Sequence, residues 1–157
     1  HTRSISVTGV QTCALPIFDA EQVVAAMNAG ATYIISPNVD DDVIRLTKEL
    51  KLVSIPGAMT PSEVAHAYKV GADIVKLFPA GHLGTKYIKE LRAPLSHIPL
   101  LATGGVNEET LCGFLDAGCA GAGVGGRLAD KKLLAEKNYG EIRKRAEAFV
   151  SLLQGRA

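Results

Sequence analysis

From Asp19 to the last residue, helix-type and strand-type patterns alternate without exception, and no other feature of the sequence constrains its fold as strongly. Parallel strands need a crossover between them, usually a helix, so strict alternation commits the chain to an α/β sheet. Asp19 and Gln22 have the spacing of a capping box, opening a helix whose Val23, Val24 and Met27 share a face until Gly30. Tyr33 to Ile35 reads as a strand ending in Ser36-Pro37. Asp40, Asp41 and Asp42 put negative charge at the next helix start, ahead of the stripe Val43, Leu46, Thr47 and Leu50.

Leu52 to Ile55 is predicted as a strand closed by Pro56-Gly57, and Thr60-Pro61-Ser62-Glu63 joins a capping box to a proline at the first helical position. The run Ile74 to Leu77 reads as a buried parallel strand, followed by a helix from about Thr85 to Leu91. Pro99 to Ala102 is another strand, then a helix capped by Asn107, a small-residue strand from Ala120 to Val124, and a closing helix near Tyr139 to Leu153. Short, evenly spaced βα units suit a closed barrel better than an open doubly wound sheet, although strand order is not legible in the sequence. Five strands stand against the eight of a full barrel, so the expectation is a (β/α)8 TIM barrel of which about the last five βα units are present.

Residues 1–18 break this order. Val7 to Ile17 resembles the in-frame translation of a sequencing adapter, so the expected division is a non-native segment at 1–18 and a partial barrel domain at 19–157. The three missing units would have preceded Asp19.

Composition narrows the function. A net charge of +1 in 157 residues, with both signs dispersed, offers no nucleic-acid footprint. No apolar run approaches the roughly 20 residues of a spanning helix. Cys13, Cys112 and Cys119 form no CxxC pair, and His1, His66, His82 and His97 fall in no metal-ligand spacing. The expectation is a cytoplasmic protein with reduced thiols, no metal and no cofactor.

Chemistry is expected at Lys76. A side-chain period of two puts Ile74, Lys76 and Phe78 on one face of their strand, with Val75 and Leu77 on the other. An ammonium in such company finds an anion, reaches water or releases its proton. The last outcome makes an amine able to form a Schiff base with a ketone, while a lone strand lysine also snorkels to solvent. The strand alone leaves both readings open. In parallel barrels the site lies at the C-terminal ends of the strands, often with a phosphate beyond the last two. Thr103-Gly104-Gly105 and Gly125-Gly126 occupy those ends, where glycine amides can cradle an anion or simply make tight turns. Arg127 either adds a cation to that cradle or lies on the surface.

The segments IVKLFPA, LLATGGV and AGVGG, with ISP and SIPGAMTPSE upstream, resemble the 2-keto-3-deoxy-6-phosphogluconate and 4-hydroxy-2-oxoglutarate aldolase family from about Asp19 onward. The resemblance implies a class I aldolase on a (β/α)8 barrel, usually trimeric, that cleaves a 2-keto-4-hydroxy acid to pyruvate and an aldehyde. It implies Lys76 as the Schiff-base residue and Pro37 and Phe78 as pocket lining. Thr103 would meet the pyruvyl carboxylate region, and Gly104, Gly105, Gly125 and Gly126 the substrate phosphate. Arg127 departs from the small hydroxyl residue of some relatives, which leaves the phosphate preference open. No glutamate here matches the family's acid/base residue, since the capping position of Glu63 explains it fully, so the chain itself is expected to be inactive. Two other readings stand beside this one: a phosphate-binding epimerase or isomerase barrel in which Lys76 acts only by its charge, and a non-catalytic fragment with open sheet edges.

Overall fold

Side-chain caps set the first helices. In the computed structural model, which describes residues 17–128 and 130–154, Asp19 accepts the Gln22 N–H at 2.9 Å and begins α1 (Ala20–Asn28). The reciprocal bond of this cap comes from the Phe18 N–H, which donates to Gln22 Oε1 at 2.8 Å. Asp40 accepts the N–H groups of Asp42 and Val43, each at 3.0 Å, and begins α2 (Asp41–Glu49). The full capping box at Thr60 and Glu63 begins α3 (Pro61–Val70).

Glu63 Oε2 accepts three hydrogen bonds, from the N–H groups of Met59 (2.9 Å) and Thr60 (2.8 Å) and from the Thr60 hydroxyl (2.9 Å). Those bonds, the Met59 N–H first, hold its carboxyl below the usual carboxylate range. A lowered folded-state value stabilises the protein above the unfolded carboxyl's value, and the contribution disappears as pH falls through the folded one. Glu63→Ala is therefore expected to cost about 1 kcal/mol at neutral pH. In urea titrations the gap to the unmutated chain should close in acid. A gap that stays constant down to low pH would show that the carboxylate is not the stabilising group.

The described residues hold six strands: β1 (Tyr33–Ile35), β2 (Val53–Ile55), β3 (Gly57–Ala58), β4 (Val75–Leu77), β5 (Leu100–Thr103) and β6 (Gly121–Gly123). All ladders are parallel, with neighbours β1-β2 in one sheet and β3-β4-β5-β6 in the other. β2 ends at Ile55, where Pro56-Gly57 was expected to close it, but a further short strand that the sequence did not suggest follows at once in the other sheet. Proline lacks an N–H but keeps its carbonyl. Pro56 therefore accepts the Lys76 N–H at 2.8 Å, and the chain resumes pairing as β3.

Two helices also depart from the sequence reading. α4 (Ala80–Arg92) is broken at Gly84, whose φ of 75° is non-helical, so its regular part from Thr85 lies where expected and only the uncapped turn before Gly84 is additional. α5 (Leu111–Asp116) begins one turn after Asn107, whose Oδ1 accepts the N–H groups of Glu109 and Thr110 at 2.9 Å. A short α6 (Lys131–Ala135), capped by Asp130, was not anticipated, whereas α7 (Tyr139–Gln154) lies where expected.

One face of the sheet carries the main core. Ala58, Val75, Leu77, Leu100 and Ala102 are buried with Val64, Ala67, Ile88, Leu91, Leu111, Phe114 and Phe149 of the helices. Each large apolar side chain buried in this way contributes about 1.5–3 kcal/mol. The alternate residues Lys76, Leu101 and Thr103 are only half-buried, so β4 is covered on one face rather than on both as its sequence implied. Around β1, Ile17, Val23, Ile34, Val43 and Leu52 form a second cluster, and the Ile17 N–H donates to the Ile35 carbonyl at 3.4 Å. The reading of 1–18 as foreign sequence otherwise lies outside the described residues, as do His1 and Cys13.

Cys119 lies in the main core, where burial pushes its thiol up to about 11. Because the thiolate is the reactive form, Cys119 is expected to resist iodoacetamide at neutral pH while the half-buried Cys112 is labelled. Peptide mapping after timed alkylation checks this, and equal labelling of the two would contradict it.

Candidate active site

The strand rows set the site. Gly57, Lys76, Leu101 and Gly121 are consecutive register partners across β3 to β6, so Lys76 stands between a glycine and a leucine on the half-buried face. Gly57 is packed so closely on the Pro37 carbonyl that a Cβ there would collide with it. Pro37 therefore sits on the Gly57 side of the lysine. On the other side, the Lys76 ammonium lies 4.8 Å from the Phe78 ring centroid, a cation–π contact.

Phe78 in turn covers the turn after β5. A Cβ on Gly104 would lie 3.2 Å from the ring, and Gly104 and Gly105 adopt φ of 84° and 74°. The Phe78-Pro79 peptide is cis, and the Gly81 N–H donates to the Gly104 carbonyl at 2.8 Å, bringing the start of α4 against this turn. The Thr110 hydroxyl closes it from the other side, donating to the Gly105 carbonyl at 2.9 Å.

Two register rows beyond Lys76 and Leu101, and so on the same face, Thr103 pairs with Gly123. A Cβ on Gly123 would lie 2.9 Å from Thr103 Oγ1, and this buried hydroxyl has no hydrogen-bond partner among the described residues. Buried polar atoms are nearly always satisfied, so an orphaned hydroxyl at a strand end marks a place for a polar ligand group.

A pocket of about 540 Å³ opens here, lined by Phe78, Thr103, Gly104, Gly105, Gly125, Gly126 and Arg127 among others. Every sequence-derived binding residue except Pro37 lines it, and Lys76 adjoins it through Phe78. Among the described residues nothing lies within 4 Å of a Cβ added at Gly125 or Gly126, so no packing demand from those residues accounts for them. Sequence reasoning missed Val106, Gly123, Asp130 and Arg145 as lining, and took Asn107 only as a cap. Arg145 reaches the pocket from α7, donating to the Arg127 carbonyl at 3.1 Å, and nothing local in the sequence signals that contact.

Both arginines of the pocket are paired with carboxylates, Arg145 with the lining residue Asp130 at 4.0 Å among them. Arg127 Nε donates to Glu108 at 3.0 Å, and Arg145 Nε donates to Glu141 at 3.1 Å. The Glu108 carboxyl is held below its ordinary value, first by its own backbone N–H and then by Arg127. Among the described residues no three His, Cys, Asp or Glu side chains converge on a metal-sized site, and no helix is long and apolar enough to cross a membrane.

Parallel strands whose C-terminal ends carry a half-buried lysine and a glycine-walled pocket define an α/β enzyme domain of the barrel-related kind. The sequence matches the family model "Aldolase: KDPG and KHG aldolase" over residues 5–145, and the chain belongs to that family of lyases. It is 41% identical over 113 residues to the 2-dehydro-3-deoxy-6-phosphogalactonate aldolase of Escherichia coli K12, covering 71% of this chain and 55% of that protein. Against the 2-dehydro-3-deoxy-phosphogluconate aldolase of Haemophilus influenzae it is 28% identical, covering 88% and 66%. A solved structure described as native KDPGal is 35% identical with a TM-score of 0.78, covering 88% of this chain and 68% of its own. The chain thus spans between about half and two thirds of these curated relatives.

Proposed function

We propose that this chain carries the pyruvate-binding, Schiff-base part of an aldolase acting on 2-keto-3-deoxy-6-phosphogluconate, 4-hydroxy-2-oxoglutarate or a close relative such as the phosphogalactonate. The observation that carries the reading is Lys76 on the open strand face, against Phe78 and two register rows from the orphaned Thr103 hydroxyl on the same face. In this reading Lys76 Nζ attacks the C2 ketone, and the carbinolamine loses water to give a protonated imine. Cleavage of C3–C4 sends its electron pair into that imine, leaving an enamine, while a base takes the C4 hydroxyl proton and the aldehyde departs. Thr103 faces the pyruvyl carboxylate, Pro37 and Phe78 bound the lysine, and Gly104, Gly105, Gly125, Gly126 and Arg127 surround the distal end of the substrate.

No residue of this chain is assigned as the base. Glu63 has its carboxylate engaged by three bonds of the helix cap, which supports leaving it out. The step proposed for the chain itself is capture of pyruvate, and aldol turnover is assigned to the intact parent, whose closed barrel, trimeric assembly and cytoplasmic location belong to the same proposal. Incubation with pyruvate and borohydride, followed by peptide mapping, tests it. A reduced adduct at Lys76 is expected, and its absence would remove the Schiff-base role.

A further inference from the structure

The Arg127–Glu108 ion pair joins the two glycine-bearing loops, one following β5 and the other β6, and its arginine lines the pocket. Its partners are 19 residues apart, and the arginine is half exposed at 53%. The backbone and head of Arg127 are held by different groups. Arg145 fixes the carbonyl, while the guanidinium is engaged through Nε by Glu108. A guanidinium binds phosphate best through two parallel N–H groups, and Glu108 occupies the fork that includes Nε, so an anion approaching that edge of Arg127 meets a carboxylate already there.

We infer that Glu108 is a specificity-determining residue that competes with the distal anion of the substrate for Arg127. This rests on the reading that the pocket takes a phosphorylated distal end. A phosphomonoester dianion brings enough charge to share or displace the carboxylate, whereas an uncharged end leaves the ion pair closed. The pocket then discriminates by the charge of the tail, and Glu108 sets the threshold.

Competition makes an uncommon prediction, that removing a native ion-pair partner tightens binding. Glycerol 3-phosphate serves as the probe, titrated into the full chain while the amide resonances of Gly125 and Gly126 are followed by NMR. Glu108→Gln is expected to bind it about threefold to fivefold more tightly than the unmutated chain, the range of an exposed ion pair. Arg127→Met is expected to bind about tenfold more weakly. In the Arg127→Met background, Glu108→Gln should have no further effect, because the contested group is gone.

Unchanged or weakened binding by Glu108→Gln would overturn the inference. So would an equal gain in both backgrounds, since that is general repulsion by a carboxylate and not competition for one arginine. If no variant gives saturable shifts at the two glycines, the distal-anion assignment falls and this inference with it. Pyruvate trapping at Lys76 reads the other end of the substrate and distinguishes that outcome from loss of the Schiff-base site.

Discussion

Lys76→Met is expected to leave essentially no borohydride-trapped pyruvate on the chain, a fall of at least about 10³-fold, on the scale at which a covalent nucleophile counts. Methionine keeps the unbranched length of the side chain and a favourable sulfur–ring contact with Phe78, so the substitution removes the amine with little change in shape. Lys76→Arg sharpens the test. It retains a cation against the ring but cannot lose its proton, so it too should give no adduct. If Lys76 acted only by its charge, as in an epimerase-type site, Lys76→Arg would preserve function while Lys76→Met would not. An adduct that survives either substitution on another lysine would end the assignment.

How much of this was legible in the sequence depended on how local each signal was. The cap at Thr60 and Glu63 and the alternation of Val75, Lys76 and Leu77 depend on neighbouring residues, and both could be read directly. Lys76 and Thr103 could be placed at strand ends, but their common face follows from the register of Lys76 with Leu101 and Thr103 with Gly123, which is long-range. The short β3 just beyond Pro56 was hidden because the residue that blocks a ladder on its nitrogen side still accepts on its carbonyl side. The start of α4 lacked any side-chain cap, so its first turn left no mark. Arg145 and Asp130 enter the pocket from elements that follow the last strand, and no spacing rule connects them to Thr103 or Phe78.

Gly105→Ala is expected to damage the fold strongly, and it separates two roles that the paired glycines share in the sequence. Gly105 holds φ 74°, and a Cβ there would sit 2.8 Å from the Gly81 Cα, which belongs to backbone that cannot turn aside. A left-handed backbone costs about 1–2 kcal/mol for alanine, and an overpacked contact about 1–3 kcal/mol more, so the loss should be about 2–5 kcal/mol. Gly30→Ala provides the control, since Gly30 has φ 91° with nothing within 4 Å of an added Cβ, and only the backbone cost applies. The difference between the two in urea unfolding measures the close approach of the turn after β5 to the start of α4. Equal costs would show that this approach is not rigid. Gly126→Ala should change stability by less than about 0.5 kcal/mol, because its Cβ would meet only open space. The first glycine pair is thus required by packing whether or not an anion binds. The second pair meets no such demand among the described residues, which leaves its backbone open to a ligand.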